Sequence, residues 1–296
     1  MAAQVNVVYA PGKPQVEFAC GEIRAALKIR GEAEGLKAST RSRRRCRSGY
    51  ARPFASSSRR HPKSPGAAAD SLGVTPLAPH AVVQAYAIRK QSALGEVTYT
   101  VLAADATGAV YGGPDLAEAL RLGTLASVTG SDHAPFIANR GIKFNIPLDA
   151  RTPSYSVAGD SAQQNIPVVW DIGFWHEFLD ELARQRYNVI SLWNLHPFPS
   201  MVRVPDYPDI ALPHVRRTTE TFDGTYDLNG KDMVRPSLLA HLQVVRKMTI
   251  EHKIAFRREV MDYANDRGIS VYLFTWNIFV WGTEGKHGIT SAQDNP

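Results

Sequence analysis

Hydrophobic positions in the second half of the chain follow two alternating patterns. In residues 171–188, apolar side chains recur at helical spacing, with Phe174, Phe178 and Leu182 on one stripe. Residues 249–268 have a similar helical pattern. Short apolar runs, which are typical of buried strands, precede, separate and follow the two helices at 140–151, 188–199 and 269–277. The order strand, helix, strand, helix, strand predicts parallel βα units.

Capping residues stand where the two predicted helices are expected to begin and end. Asp171 stands where the side chain of an N-cap would accept a hydrogen bond from the first turn of the first helix. Thr249 has the same position before the second helix, and Gly268 follows its end. Both helices are therefore expected to begin and end close to these residues.

Residues 1–134 predict a small α/β domain. The run "QVNVVY" alternates like a strand, "PQVEFACGEIRAALKIRG" has helical spacing, and "QAYAIRK" and "VTYTVLAAD" read as two strands. A further helix is expected to begin near Pro114. The glycines before it, Gly108, Gly112 and Gly113, indicate either a phosphate cradle or a tight strand-to-helix turn. The turn is favoured because no Lys-Ser/Thr pair of a P-loop follows them.

The basic charge of the chain is confined to one segment. Residues 37–63 contain ten Lys and Arg residues and no acidic residue, so removing them from the net charge of +6 leaves −4. The surrounding segment, 37–80, lacks any periodicity and is rich in Arg, Ser, Pro and Ala. It is interpreted as a disordered loop, as non-native sequence from a shifted reading frame, or as a nucleic-acid-binding arm, the least favoured of the three.

Composition restricts the remaining classes of protein. The 296 residues are 44% hydrophobic and 21% charged, which is ordinary for a globular chain, and no apolar run approaches the roughly 20 residues of a membrane span. No secretory signal is seen, and two cysteines make no disulfide framework, so a cytoplasmic location is expected. The run "HEFLD" lacks the second histidine of a zinc helix, and we expect neither a metal nor a cofactor.

Polar and aromatic side chains gather where each strand of the second half ends. In parallel sheets ligands bind at the carboxyl ends of strands, so these residues form the candidate site. Indoles can pack on sugar rings, and amides and carboxylates can bond sugar hydroxyls. Structural roles remain open: the indoles can be core, Arg151 can simply pair with Asp149, and His196 can cap a loop. The strand-end residues are Asp149, Arg151, Asn194, His196, Trp276 and Asn277.

Two stretches resemble known families. "DATGAVYGGPDLAEAL" resembles the accessory domain, free of catalytic residues, that precedes the barrel in beta-hexosaminidases and alpha-glucuronidases. The run from "RGIKFNIPLDAR" through "YLFTWNIFVWGTEGKHGIT" resembles bacterial glycoside hydrolases related to alpha-glucuronidases, over about residues 80–296. The resemblance implies an accessory domain in 1–134 and, in 135–296, the first units of a (β/α)8 barrel acting on plant polysaccharides or uronic-acid-containing oligosaccharides. It also implies sugar contacts for Arg140, Arg151, Asn194, His196, Trp276 and Asn277.

The sequence also predicts what this chain lacks. Glycosidases need two carboxyl groups, and the candidates here are Asp149 and Glu284, whereas the resembled families take theirs from later strands. From Arg140 to Pro296 there are 157 residues and three expected strands, while a full barrel takes about 250 residues. The chain is therefore expected to be the N-terminal part of a longer enzyme, poorly soluble and inactive alone. The alternative is a non-catalytic carbohydrate-binding protein; the oligomeric state stays open.

Overall fold

The fold is described from a computed structural model, in which the described residues are 12–29, 75–77, 82–93, 96–152, 160–194, 196–221 and 239–275. The expected first strand and nearly all of the basic segment lie outside them. The chain divides into two compact units. The first contains the described residues up to Arg140 together with 182–186 and 266–268, and the second contains the others. The predicted domain limit between residues 134 and 135 stays a prediction.

The first unit combines helices with a small antiparallel sheet. Helix α1 spans Pro14–Ile29, strands β1 and β2 span Tyr86–Ala93 and Glu96–Ala103, helix α2 spans Ala106–Leu122, and the short strand β3 spans Ser131–His133. Strand β1 is central, so the order is β2-β1-β3 with both pairs antiparallel. The predicted helix at the N-terminus and the two predicted strands of the hairpin are therefore present, whereas β3 was not expected.

Helix α2 begins earlier than its sequence suggests. The N-cap is Asp105, whose carboxylate accepts a hydrogen bond from the Gly108 amide at 2.8 Å. Pro114 lies inside the helix, so the predicted start near that residue was wrong. The glycine cluster consequently lies on the helix, and both interpretations of it as a loop, the phosphate cradle and the tight turn, are corrected.

The glycines of α2 permit close packing on both of its sides. A Cβ atom at Gly112 would lie 2.5 Å from Cγ1 of Val101 on β2, and one at Gly113 would lie 2.5 Å from the Cβ of Ala19 on α1. Such distances are far inside van der Waals contact, so any larger residue would push the helix away from its neighbours. Closeness of packing, rather than a turn or a ligand, accounts for these glycines.

A buried carboxylate links three elements within the first unit. Glu22 on α1 accepts hydrogen bonds from Arg121 Nη2 at 2.7 Å and from Arg184 Nη2 at 2.9 Å. Burial by itself would raise the pKa of Glu22, but the hydrogen bonds from Arg184 and Arg121 outweigh it and hold the pKa below its usual value. This ion-paired glutamate is therefore charged at neutral pH.

The second unit contains the predicted parallel sheet. Strands β4, β5 and β8 span Gly141–Asn145, Val189–Trp193 and Ser270–Phe274. They are neighbours in the order β4-β5-β8, and both pairs are parallel. Helix α4 (Ile172–Arg184) precedes β5, and helix α6 (Ile250–Asp266) precedes β8. The prediction of a mixed α/β fold with successive parallel βα units is confirmed.

The predicted caps of these helices are also present. Asp171 Oδ1 accepts a hydrogen bond from the Gly173 amide at 2.9 Å, and Thr249 Oγ1 accepts one from the His252 amide at 3.2 Å. Gly268 has a φ of 72°, the left-handed conformation common just past a helix end. Local signals in the sequence thus predicted the starts of both helices to within one residue.

Between β5 and α6 the chain forms elements that the sequence did not predict. The short helix α5 spans Phe198–Met201, and another short helix, α3 (Asp160–Asn165), lies between β4 and α4. Strands β6 (Val215–Thr218) and β7 (Leu242–Arg246) pair antiparallel with an irregular register at Val215/Arg216. The pair lies beside the segment after β4, because the Ala150 amide donates to the Arg216 carbonyl oxygen at 3.0 Å.

Strand β8 is far less buried than its pattern suggests. Ile190 on the central strand β5 is 1% exposed, whereas Tyr272 and Phe274 on β8 are 52% and 50% exposed. The prediction of a buried third strand was therefore wrong for the described structure. The physical reason is that, among the described residues, β8 is an edge strand with a neighbour on one side only. No helix in the described part of the chain is long and apolar enough to cross a membrane.

Candidate functional site

The candidate site lies at the carboxyl end of the parallel sheet. Strand register aligns the last residues of the three strands, Asn145, Trp193 and Phe274, so all three strands end at the same edge. The polar residues that follow β4 and β5 are buried. They are Asp149, Arg151, Asn194 and His196. Of the other predicted residues, Trp276, Asn277 and the candidate carboxylate Glu284 lie outside the described residues.

Asp149 and Arg151 form a buried, two-pronged ion pair. Asp149 Oδ1 accepts from Arg151 Nε at 2.8 Å, and Oδ2 accepts from Arg151 Nη2 at 2.9 Å. Main-chain amides of Arg151 and Arg216 add one hydrogen bond to each oxygen, both at 3.0 Å. Four donors surround the Asp149 carboxylate and hold it in place, a geometry that suits support of the loop after β4.

Arg151 extends this network to the hairpin. Its Nη2 also donates to the Pro213 carbonyl oxygen at 2.9 Å and to that of His214 at 3.3 Å. The arginine therefore joins the segment after β4 to the segment that leads into β6. The alternative that Arg151 pairs structurally with Asp149 describes the observed geometry, and a sugar contact by Arg151 stays a prediction.

Asn194 connects all three strands of the parallel sheet. Its side-chain amide donates to the Ile146 carbonyl oxygen after β4 at 2.8 Å, and its main-chain amide donates to the Phe274 carbonyl oxygen on β8 at 3.1 Å. Its side-chain oxygen accepts from the main-chain amide of His196 at 2.8 Å. Asn194 thus fixes the position of His196, whose side chain is almost completely buried.

The hydrogen bonds of the Arg140 side chain lie within the first unit. Arg140 directly precedes β4, at the amino end of the strand, and belongs to the first unit. Its guanidinium donates to the Arg186 carbonyl oxygen at 2.8 Å, to Gln84 Oε1 at 2.8 Å and to the Tyr111 hydroxyl at 3.0 Å. The sugar contact that the resemblance implies for Arg140 stays a prediction.

The sequence analysis missed two buried cations on α6. Lys253 is completely buried, and its Nζ donates to the Leu212 carbonyl oxygen at 3.0 Å. Burial lowers the pKa of Lys253 to about 8, with Asp149 opposing the shift and Arg151 and Arg257 adding to it. A signal was present in the helical pattern, because positions 253 and 257 share the stripe of Phe256, Val260 and Ala264.

Arg257 lies among aromatic rings. Its guanidinium carbon is 4.3 Å from the Trp170 ring centroid and 5.7 Å from that of Trp175, and Nη2 donates to the Val169 carbonyl oxygen at 3.2 Å. Burial lowers the pKa of Arg257, although an arginine remains charged at neutral pH. Trp170 and Trp175 are themselves core residues, so these indoles do not offer a face to a sugar.

The described polar groups at this end of the sheet are held by hydrogen bonds, and Asp149 lies near more than one cation. Among the residues that the structure describes, no group of three or more His, Cys, Asp or Glu side chains could hold a metal ion. The two oxygens of Asp149 are both occupied by hydrogen bonds. Recognition of a ligand by fixed polar groups is the chemistry that this end of the sheet can perform.

Comparison with known proteins shows a fold and no family. No family model matches the chain, and no curated protein matches it. Among solved structures it is similar to a GH138 enzyme targeting pectin rhamnogalacturonan II, at 17% identity and a TM-score of 0.57, over 97% of this chain and 33% of that one. A GH20 beta-N-acetylhexosaminidase from Streptomyces coelicolor A3(2) matches at 13% identity and a TM-score of 0.43, over 92% and 41%.

The likeness to the GH138 enzyme shows that the mixed α/β fold of this chain occurs in glycoside hydrolases. This chain spans about a third of that enzyme's length. A relationship to alpha-glucuronidases in particular is not among these findings.

Proposed function

We propose that the chain provides an accessory α/β unit and the first three strands of a (β/α)8 barrel in a glycoside hydrolase. Its substrate would be a plant polysaccharide or a uronic-acid-containing oligosaccharide. The observation that carries the proposal is the parallel order β4-β5-β8, with Asp149, Arg151, Asn194 and His196 at the shared carboxyl end. In barrels of this type the ligand binds at that end, on the segments that follow the strands.

The role of this chain within the proposed enzyme is binding rather than bond cleavage. Glycoside hydrolysis takes two carboxyl groups, one of which must exchange a proton with the leaving oxygen. Asp149, the carboxylate that follows β4, has both oxygens occupied by hydrogen bonds from four donors, so neither oxygen is available to a leaving group. The catalytic acid and base would then come from strands beyond those described.

A second candidate is a carbohydrate-binding protein without catalysis. The same observation favours it, because the described site consists of fixed hydrogen-bonding groups and buried cations. The two candidates differ in one measurable property, which is whether the bound saccharide is cleaved.

The test uses the purified 296-residue chain. Isothermal titration would follow binding of a trisaccharide of galacturonic acid, with a cello-oligosaccharide of equal length for comparison, and chromatography of the same samples would detect cleavage. We expect binding of the acidic saccharide without cleavage. Failure of the folded chain to bind any of these saccharides would count against both candidates, and cleavage would contradict the assignment of catalysis to later strands.

A further inference from the structure

Positive charge exceeds negative charge in the interactions around the carboxyl end of the sheet. Arg151 is paired with Asp149, while Lys253 and Arg257 donate to the main-chain carbonyl oxygens of Leu212 and Val169. These charges interact with one another. Burial has the largest effect and lowers the pKa of Lys253; Asp149 shifts this pKa upwards, whereas Arg151 and Arg257 shift it downwards. Asp149 is thus paired with Arg151 and also interacts with Lys253, and an additional anion would be stabilised there.

A further cation of this region, Arg216, has no side-chain acceptor among the described residues. The main chain of Arg216 is fixed beside the ion pair, since its amide donates to Asp149 Oδ2 at 3.0 Å and its carbonyl oxygen accepts from the Ala150 amide at 3.0 Å. The side chain is half-buried. Within the described residues its guanidinium donates no hydrogen bond, and its Nε is buried without a partner.

Unpaired buried donors are rare in folded proteins, and each one calls for an explanation such as an acceptor that binds later. The guanidinium of arginine is a planar fork that matches a carboxylate with two parallel hydrogen bonds. Saccharides carry a carboxylate when they contain uronic acid units. A carboxylate would supply the acceptor that the Arg216 guanidinium lacks. The carboxylate is also the group that distinguishes an acidic sugar from a neutral one.

We propose that Arg216 binds the carboxylate of a uronic acid unit and so selects acidic over neutral saccharides at this site. The inference rests on the proposed function, since it assigns specificity to the same carboxyl-end site. Arg151, Lys253 and Arg257 contribute a positive potential that favours the anion, while the hydrogen bonds of Arg216 decide its orientation.

The neighbouring residue offers a matched control. Arg217 lies on the same strand with the same charge, but consecutive side chains of a strand point to opposite faces. Its guanidinium is already bonded, with Nε donating to Gln243 Oε1 at 3.3 Å and Nη1 donating to Gln164 Oε1 at 3.0 Å. Removing the charge of Arg217 therefore changes the net charge equally without removing the proposed contact.

The experiment compares tri-galacturonic acid with its fully methyl-esterified form, which has the same sugar rings and linkages but no charge. Isothermal titration of the complete chain should give an affinity for the acid about tenfold or more above that for the ester, as expected of a hydrogen-bonded charge. Arg216→Gln should abolish this preference, Arg216→Lys should retain part of it, and Arg217→Gln should leave it unchanged. Added salt should weaken binding of the acid alone.

The possible outcomes distinguish the role of Arg216 from saccharide binding by the chain. Equal affinity for acid and ester, or equal loss of preference in Arg216→Gln and Arg217→Gln, would overturn the role of Arg216 and leave saccharide binding standing. Absence of binding to both forms would overturn the proposed function itself. Thermal unfolding of each variant shows whether it is folded; should Arg216→Gln unfold, Arg216→Lys keeps the test decisive, because an undiminished preference in that variant contradicts a forked contact.

Discussion

The side-chain amide of Asn194 donates a hydrogen bond to the Ile146 carbonyl oxygen at 2.8 Å, across the gap between the segments that follow β5 and β4. The same residue bonds Phe274 of β8 through its main-chain amide at 3.1 Å. One asparagine therefore holds the carboxyl ends of three strands in a fixed arrangement. The candidate site depends on this arrangement, because Asp149, Arg151, Asn194 and His196 all follow β4 or β5.

Replacing Asn194 with alanine should destabilise the chain by about 2–4 kcal/mol, because the Ile146 carbonyl oxygen and the His196 amide would be buried without partners. Urea unfolding followed by circular dichroism measures the change. The exposed Asn165 is a matched control, and Asn165→Ala should stay within about 0.5 kcal/mol of the original chain. Equal effects at the two positions would show that Asn194 does not join the strands.

Glu22 should make the chain less stable in acid. The hydrogen bonds from Arg184 and Arg121 depress the folded-state pKa, so the unfolded chain takes up a proton at higher pH than the folded chain does. The stabilisation is fully present above the unfolded value of about 4.3 and is lost as the pH falls through the lower, folded value. Urea midpoints of the original chain and Glu22→Gln should therefore differ at pH 7 and converge towards pH 3. A constant difference across this range would contradict the ion pair.

Lys253 should have the opposite relation to pH. Burial lowers its folded-state pKa to about 8, below the unfolded value of about 10.4, so the folded chain releases its proton first as the pH rises. Stability should increase between pH 8 and pH 10.4 in the original chain and not in Lys253→Met. Below pH 8 the variant should be the more stable, because it buries no ammonium group.

The control for Lys253 is Lys247→Met, since Lys247 is exposed. This variant should keep the alkaline rise in stability. If Lys253→Met shows the same rise as the original chain, the ammonium group is not the buried cation that the structure describes.

The edge strand β8 should cause self-association. Its exposed apolar side chains, Tyr272, Leu273 and Phe274, have no charged residue among them to oppose pairing with another strand. Light scattering at increasing protein concentration should show association that Leu273→Lys reduces. Met261→Lys adds the same charge on α6 and should reduce it much less; equal reductions would mean that net charge, rather than this edge, controls association.

Helices α4 and α6 and the parallel strands could be predicted because their signals are local. Apolar spacing, the capping side chains of Asp171 and Thr249, and the glycine at 268 each depend on neighbours within a few residues. The alternation of helices and apolar strands then gave the parallel order, since parallel strands require crossover connections. Exposure of β8 depends on which strands flank it, and no local pattern encodes that.

Features that depend on distant contacts were not predictable in this way. The strands β6 and β7 are short and rich in polar residues, and the residues between them separate their signals along the chain. The glycines of α2 indicated a turn because their contacts with Val101 and Ala19 come from other elements. Arg140 was grouped with the site by resemblance, although its position before β4 already put it at the amino end of the strand.

The residues of the candidate site likewise include some that could be predicted from the local sequence and some that could not. Asp149, Arg151, Asn194 and His196 were found because they follow apolar strands, a relation visible in the sequence. Lys253 comes from a helix and the main chain of Arg216 from a hairpin, and only the hydrogen bonds to Leu212 and Asp149 show these positions.

Hydrogen exchange of the complete chain with and without tri-galacturonic acid tests the central claim most directly. If the carboxyl ends of β4 and β5 form the binding site, added saccharide should slow exchange at residues 145–152, 193–196 and 214–218. Exchange in helix α2, at residues 106–122, should stay unchanged. Protection confined to the amino ends of the strands, to the first unit, or to no residue at all would contradict a saccharide site at this edge of the sheet.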